Sequence, residues 1–146
     1  MKKLIFVTVM MLAMALASNG KTNSRNIQLL NNLSTALKNA KVTSTFRNGD
    51  FKKTSFDFIG KQVSAFYDTE RNELIGFSIP VSEADLPAGA FEDIQKKHNQ
   101  YKVKETLMFI LKNGCFGFYI SLTRLNKPTI VINVNAKGKT HIYTRI

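Results

Sequence analysis

Apolar and polar positions along this chain run through one programme and then begin it again. After a polar lead-in, Ile27, Leu30, Leu33, Leu37 and Ala40 recur at three- and four-residue intervals. That spacing keeps them on one side of an α-helix, and Asn23 or Ser24 stands where a helix cap belongs. Four strand-like runs follow, at 42–47, 51–59, 62–68 and 73–79, separated by Asn48-Gly49-Asp50, Gly60-Lys61 and residues 69–72. Asn-Gly between two apolar runs is a strong hairpin signal. Ser82 and Asp85 then form a capping box, and Pro87 suits a first helical turn, where its missing N–H costs nothing. Leu86, Ala90, Phe91, Ile94 and His98 make a second apolar stripe. Four more strands are expected at 102–111, 115–123, 129–135 and 140–146, with turns at Lys112-Asn113-Gly114, 124–128 and 136–139.

Asn48-Gly49 and Asn113-Gly114 occupy equivalent places in the two halves, between first and second strand. Residues 68–72 and 135–138 do the same between third and fourth. The pattern predicts an α+β fold of two tandem helix-plus-four-strand repeats, about 23–79 and 82–146. Neither half is large enough to bury a secure core alone. The two are therefore expected to join in one antiparallel sheet with both helices on one face. Strand alternation agrees with a sheet that has one wet side. Phe116, Phe118, Ile120 and Leu122 oppose Cys115, Gly117, Tyr119 and Ser121, and Ile142, Thr144 and Ile146 oppose His141, Tyr143 and Arg145. In the first half Phe56 and Phe58 oppose Ser55 and Asp57, while Ile75, Phe77 and Ile79 oppose Leu74, Gly76 and Ser78.

The start of the chain has a different character. Met1-Lys2-Lys3 precedes an apolar run from Leu4 to about Leu16, then Ala15-Leu16-Ala17 and polar Ser18. This is the order of a secretory signal peptide with an A-x-A cleavage site, and the run is short of the roughly 20 residues a membrane span needs. Cleavage after Ala17 leaves a single domain, 18–146, that is periplasmic or secreted, with no cysteine at the cut to carry a lipid. Disulfides form in such compartments, yet Cys115 is the one cysteine, so stability must come from packing. A monomer is expected, with Cys115 available for an intermolecular link.

The formal charge is +11, or +9 once Lys2 and Lys3 are gone. Such a field draws in anionic partners: lipopolysaccharide, acidic glycans or acidic proteins. Nucleic acid is not expected, since no basic cluster lies on a reading helix and no aromatic RNA-binding motif is present. The lysines are scattered, as on a solvated surface.

Ile79-Pro80-Val81-Ser82-Glu83-Ala84-Asp85-Leu86-Pro87, followed after a helix by Lys96-Lys97-His98-Asn99-Gln100-Tyr101-Lys102-Val103, resembles the linker and second repeat of the PepSY-like family. These are exported proteins typical of Bacteroidetes, with a fold similar to that of the β-lactamase inhibitor protein. The family's Y-x-D-x-x-G-x-L turn resembles Tyr67-Asp68-Thr69-Glu70-Arg71-Asn72-Glu73-Leu74, with Asn for Gly and a turn one residue longer. Residues 134–140 keep the Gly, as Gly138, and have Asn135 in place of Asp. The resemblance spans nearly all of the mature chain. It implies a two-repeat α+β fold and a binding or inhibitory role, and it carries over no catalytic residues.

Candidate chemistry is sparse. His98, His141 and Cys115 are too dispersed in sequence for a structural zinc site, and a Cys115–His141 nucleophile pair would need direct contact in a water-excluding pocket. Glu70 with Glu73 and Glu92 with Asp93 fall in a turn and on a surface helix, not across a cleft as glycoside hydrolysis requires. No phosphate-cradling loop or nucleophile elbow is present. No enzyme activity, cofactor or metal is therefore expected. What remains is the wet face of the second half, where Tyr119, His141, Tyr143 and Arg145 are candidates for binding. Cross-strand aromatics also stabilise sheets with no partner at all, which is their commoner use. The sequence thus reads as an exported, non-catalytic binding module that docks or inhibits an envelope protein through an open sheet face. The alternative is a basic protein held to lipopolysaccharide or acidic glycan by charge.

Overall fold

The computed structural model describes residues 24–146. The signal-peptide reading and the Asn23 cap lie outside them. Two helices and eight strands occur in the order α1 (Ser24–Asn39), β1 (Val42–Asn48), β2 (Phe51–Phe58), β3 (Lys61–Asp68), β4 (Glu73–Pro80), α2 (Ala90–Lys97), β5 (Lys102–Leu111), β6 (Phe116–Thr123), β7 (Ile130–Val134) and β8 (Thr140–Arg145). The strands are hydrogen-bonded in chain order in one antiparallel sheet. The α+β class is as the sequence predicts, and element ends fall within two residues of expectation except around α2. None of the described helices is long and apolar enough to cross a membrane. The described chain forms two compact units, one of residues 24–80 and 108–116, the other of 81–107 and 117–146.

In the first unit, Leu30 and Leu33 of α1 are buried against Phe56, Val63, Ala65, Phe77, Ile79 and Ile110. Leu29, Ala36, Leu37 and Ala40 flank them. Each large apolar side chain so removed from water contributes about 1.5–3 kcal/mol. The helical stripe is therefore real but begins at Leu29 and Leu30, since Ile27 is exposed. One strand departs from simple alternation. An irregularity at Phe66 and Tyr67 pairs Tyr67 with Leu74 and Phe66 with Gly76, skipping Ile75. A bulge of this kind switches which residues face the core, so Leu74, not Ile75, joins Phe77 and Ile79 in the cluster. On the other side of these strands Phe66 stacks on Phe109 with ring centroids 5.5 Å apart, and the buried Ser55 and Ser64 hydroxyls bond each other at 3.0 Å.

The second unit corrects one local expectation. The Ser82–Asp85 capping box forms, but it closes a short 3-10 turn, Glu83–Asp85, and not the start of α2. The cause is Pro87: the residue before a proline is pushed out of the helical region, and Leu86 is extended at φ −73°, ψ 152°. The helix starts afresh at Ala90 after Gly89, which holds a left-handed φ of 83°. Ala90 and Ile94 are its buried residues. Its charges are well placed for the helix dipole, with Glu92 and Asp93 in the first turn and Lys96 and Lys97 in the last.

Asp93 fastens α2 to β8. One carboxylate oxygen accepts hydrogen bonds from the backbone N–H and hydroxyl of Thr140 and from the Lys97 ammonium at 2.7 Å. Thr140 pairs with Val134 and Val134 with Phe118, so α2 lies on the face that also carries Ile120, Leu122, Ile130 and Ile132.

Candidate functional site

The four candidate side chains all belong to the second unit. Cross-strand partners share a face, so the pairings sort them. Tyr119 pairs with Asn133 and Asn133 with His141, giving a row of three across β6, β7 and β8. An irregularity between Val131 and Ile132 then skips Tyr143 and pairs Val131 with Thr144 and Ile130 with Arg145. The bulge keeps Tyr143 on the side of Tyr119, where the two rings meet edge to face at 5.8 Å and 84°. It also turns Arg145 to the side of Ile130, the face of α2. There the Arg145 charge acts on His98, whose pKa is lowered by burial first and then by Lys97 and Arg145. Three of the four candidates therefore come together, and Arg145 does not join them. The sequence placed it there by strict alternation, which a bulge breaks.

Exposure also differs from expectation. Tyr119 and Ser121 were expected on a wet face, but each is only 2% exposed. His141 is exposed and Tyr143 half-buried. Alternation identifies which residues share a face and not how much water each meets. Gly117 and Asn133 were not candidates, yet both shape the row. The Tyr119 ring reaches back so that an atom of it lies 3.4 Å from where a Gly117 side chain would begin. The Asn133 amide donates to the Phe118 carbonyl at 3.3 Å and also hydrogen-bonds Tyr119. A glycine inside a strand often marks a close approach, here that of the Tyr119 ring.

The two tyrosines of the row are uncharged. Burial, together with Tyr143, raises the Tyr119 pKa, and burial raises that of Tyr143. Both phenols stay protonated in ordinary buffers and offer hydroxyl hydrogen bonds, with no phenolate to act as base or nucleophile. Elsewhere, Cys115 is half-buried with its backbone N–H on the Asn113 side-chain oxygen, and it belongs to the other unit from His141. Two of the carboxylates weighed from sequence have structural duties. Glu73 pairs with Lys112 at 3.4 Å, and Asp93 holds Thr140. Among the described residues no group of three or more His, Cys, Asp or Glu is arranged to hold a metal.

Asp93 has a measurable signature. The Lys97 ammonium and the Thr140 hydroxyl hold its pKa at about 2, below the ordinary 3.8. A carboxyl whose folded pKa is depressed contributes stability that is fully present above its unfolded pKa and fades as pH falls through the folded one. The thermal midpoint of the wild type should therefore exceed that of Asp93→Asn at neutral pH. The gap should narrow from about pH 4 downward and largely close near pH 2. A gap that stays constant over that range would mean that the Asp93 charge plays no part.

No family model matches the sequence, and neither does any curated protein searched. The fold does have solved counterparts. A DUF2874 family protein from Bacteroides uniformis is 9% identical with a TM-score of 0.61, covering 81% of this chain and 86% of its own. A provisionally periplasmic protein from Bacteroides eggerthii is 13% identical at a TM-score of 0.65, over 87% of this chain and 91% of that one. A BLIP-like protein from Bacteroides fragilis is 12% identical at 0.59, over 88% and 90%. At these identities the likeness is one of fold.

Proposed function

We propose that this chain is an exported, non-catalytic binding module of the cell envelope that docks a protein partner on the face carrying Tyr119, His141 and Tyr143. The observation that carries the reading is the edge-to-face tyrosine pair at 5.8 Å with an exposed imidazole in the same cross-strand row. Rigid aromatics with polar tips are the side chains that dominate binding energy at protein interfaces. The neutral phenols of the row favour binding over catalysis. The finer parts of the reading belong with it: PepSY-like membership, two tandem repeats, a signal peptide cut after Ala17, and a monomer, with a Cys115-linked dimer as its alternative. The BLIP-like name of one neighbour supports protein binding by analogy of fold alone.

The test uses the mature domain, 18–146, immobilised and washed with envelope extract at about 150 mM salt, where exposed charges are screened beyond roughly 8 Å. A partner held by wild type should be lost from His141→Ala and from Tyr143→Ala, each weakening it by about tenfold or more. These two replace Tyr119→Ala, because Tyr119 is buried and its truncation would damage the core. Retention unchanged in both variants sinks the docking face. Retention of lipopolysaccharide or acidic glycan alone, fading as salt rises, supports the charge-driven reading that the +9 charge of residues 18–146 suggests.

A further inference from the structure

The first unit holds a cavity of about 520 Å³ between the C-terminal half of α1 and strands β1 to β4. Its size is within the ~300–1,000 Å³ of small-molecule sites. Its apolar lining comes from Leu37, Val42 and Leu74, with the ring of Tyr67 beside them. Lys38 and Lys52 also line it, and no carboxylate does. Lys52 and Tyr67 are cross-strand partners, and the Lys52 ammonium sits 4.9 Å above the Tyr67 ring. The ion pairs of Lys97 with Asp93 and Lys112 with Glu73 involve neither cavity lysine. The hydroxyls of Thr45 and Thr54 add donors to the wall.

An apolar hollow with two cations on its wall is complementary to a ligand with an apolar body and one anionic end. We infer that this cavity binds an amphipathic monocarboxylate, its chain against Leu37, Val42 and Leu74 and its carboxylate between Lys38 and Lys52. The site lies in the other unit from the tyrosine row, so the two readings stand or fall separately.

The probe is dodecanoate, titrated into the mature domain by calorimetry, with methyl chemical shifts followed by NMR. Saturable one-to-one binding is expected, with the methyl signals of Leu37, Val42 and Leu74 moving together. 1-Dodecanol, which has the chain without the charge, should bind at least tenfold more weakly, and inorganic phosphate should leave those methyls unmoved. Lys38→Gln with Lys52→Gln should weaken dodecanoate by tenfold or more, while Lys127→Gln with Lys137→Gln, an equal charge loss on turns of the other unit, should not. If the cavity double variant does not fold, the dodecanoate–dodecanol comparison on wild type decides. Equal affinity for acid and alcohol, equal loss in both lysine pairs, methyl shifts with phosphate, or no saturable binding would each overturn the assignment.

Discussion

Phe77→Ala is expected to cost about 3–5 kcal/mol of folding stability, a large share of the ~5–15 kcal/mol that holds a small domain together. The reasons are local. Phe77 is fully buried in the cluster under α1. Its ring meets that of Phe56 edge to face at 6.3 Å and 75°, a geometry that adds to simple area burial. Its cross-strand partner is Ala65, whose methyl group cannot swell to fill the hole. A strand in mid-sheet is fixed by hydrogen bonds on both sides, so the backbone cannot close over the cavity either, and the full penalty of the void is felt. Urea unfolding of the mature domain measures this directly, as a lower midpoint with an unchanged slope. A loss under about 1 kcal/mol would mean that the core beneath α1 is not packed as described. Ile27, exposed on the same helix, supplies the contrast: Ile27→Ala should cost only a few tenths.

That contrast marks where sequence reasoning works and where it stops. Apolar periodicity located α1 and all eight strands, because burial on one face imposes a period that any chain must write into its residues. It failed at three places where the backbone breaks its own period. At Phe66–Tyr67 a bulge exchanged Ile75 for Leu74 in the core. On β8 another bulge carried Arg145 away from Tyr119 and Tyr143. At Leu86-Pro87 the proline ended a turn that the capping box had begun. A bulge inserts a residue with no side-chain signature of its own, so alternation counted past it goes wrong from there on. Proline does have a signature. Read with the constraint on its predecessor, it would have ended the first turn at Leu86, while the start of α2 at Ala90 also rests on the left-handed Gly89. For the candidate site, Tyr119, His141 and Tyr143 were legible as a shared face. The roles of Gly117 and Asn133 were not, because a folded-back ring depends on which rotamer the strand allows. The Lys38–Lys52 cavity was invisible, since it unites residues from a helix and four strands that no local pattern connects.

Gly138→Ala is expected to cost about 2–5 kcal/mol, from two penalties that add. Gly138 sits in the β7–β8 turn at φ 77°, where a side chain costs about 1–2 kcal/mol by itself. Its missing side chain is also needed by a neighbour. A methyl group there would run into the Ala88 carbonyl and lie 3.3 Å from the Ala90 amide nitrogen, and overpacking against groups that cannot swing aside costs a further ~1–3 kcal/mol. The turn itself is tightly specified. The Gly138 N–H donates to the Asn135 carbonyl at 3.0 Å, and the Asn135 side-chain oxygen accepts from Lys137 and Lys139. Two residues later Thr140 is held by Asp93 of α2, so the turn cannot retreat from Ala88 without straining that clasp. Gly49→Ala separates the two penalties. Gly49 also has a positive φ, 51°, but nothing lies within 4 Å of its absent side chain, so only the backbone cost of about 1–2 kcal/mol applies. Unfolding midpoints of the two variants, measured side by side, should differ by the packing term alone. If Gly138→Ala is no worse than Gly49→Ala, the turn retreats from Ala88 without resistance, and the clasp at Thr140 does not hold it there.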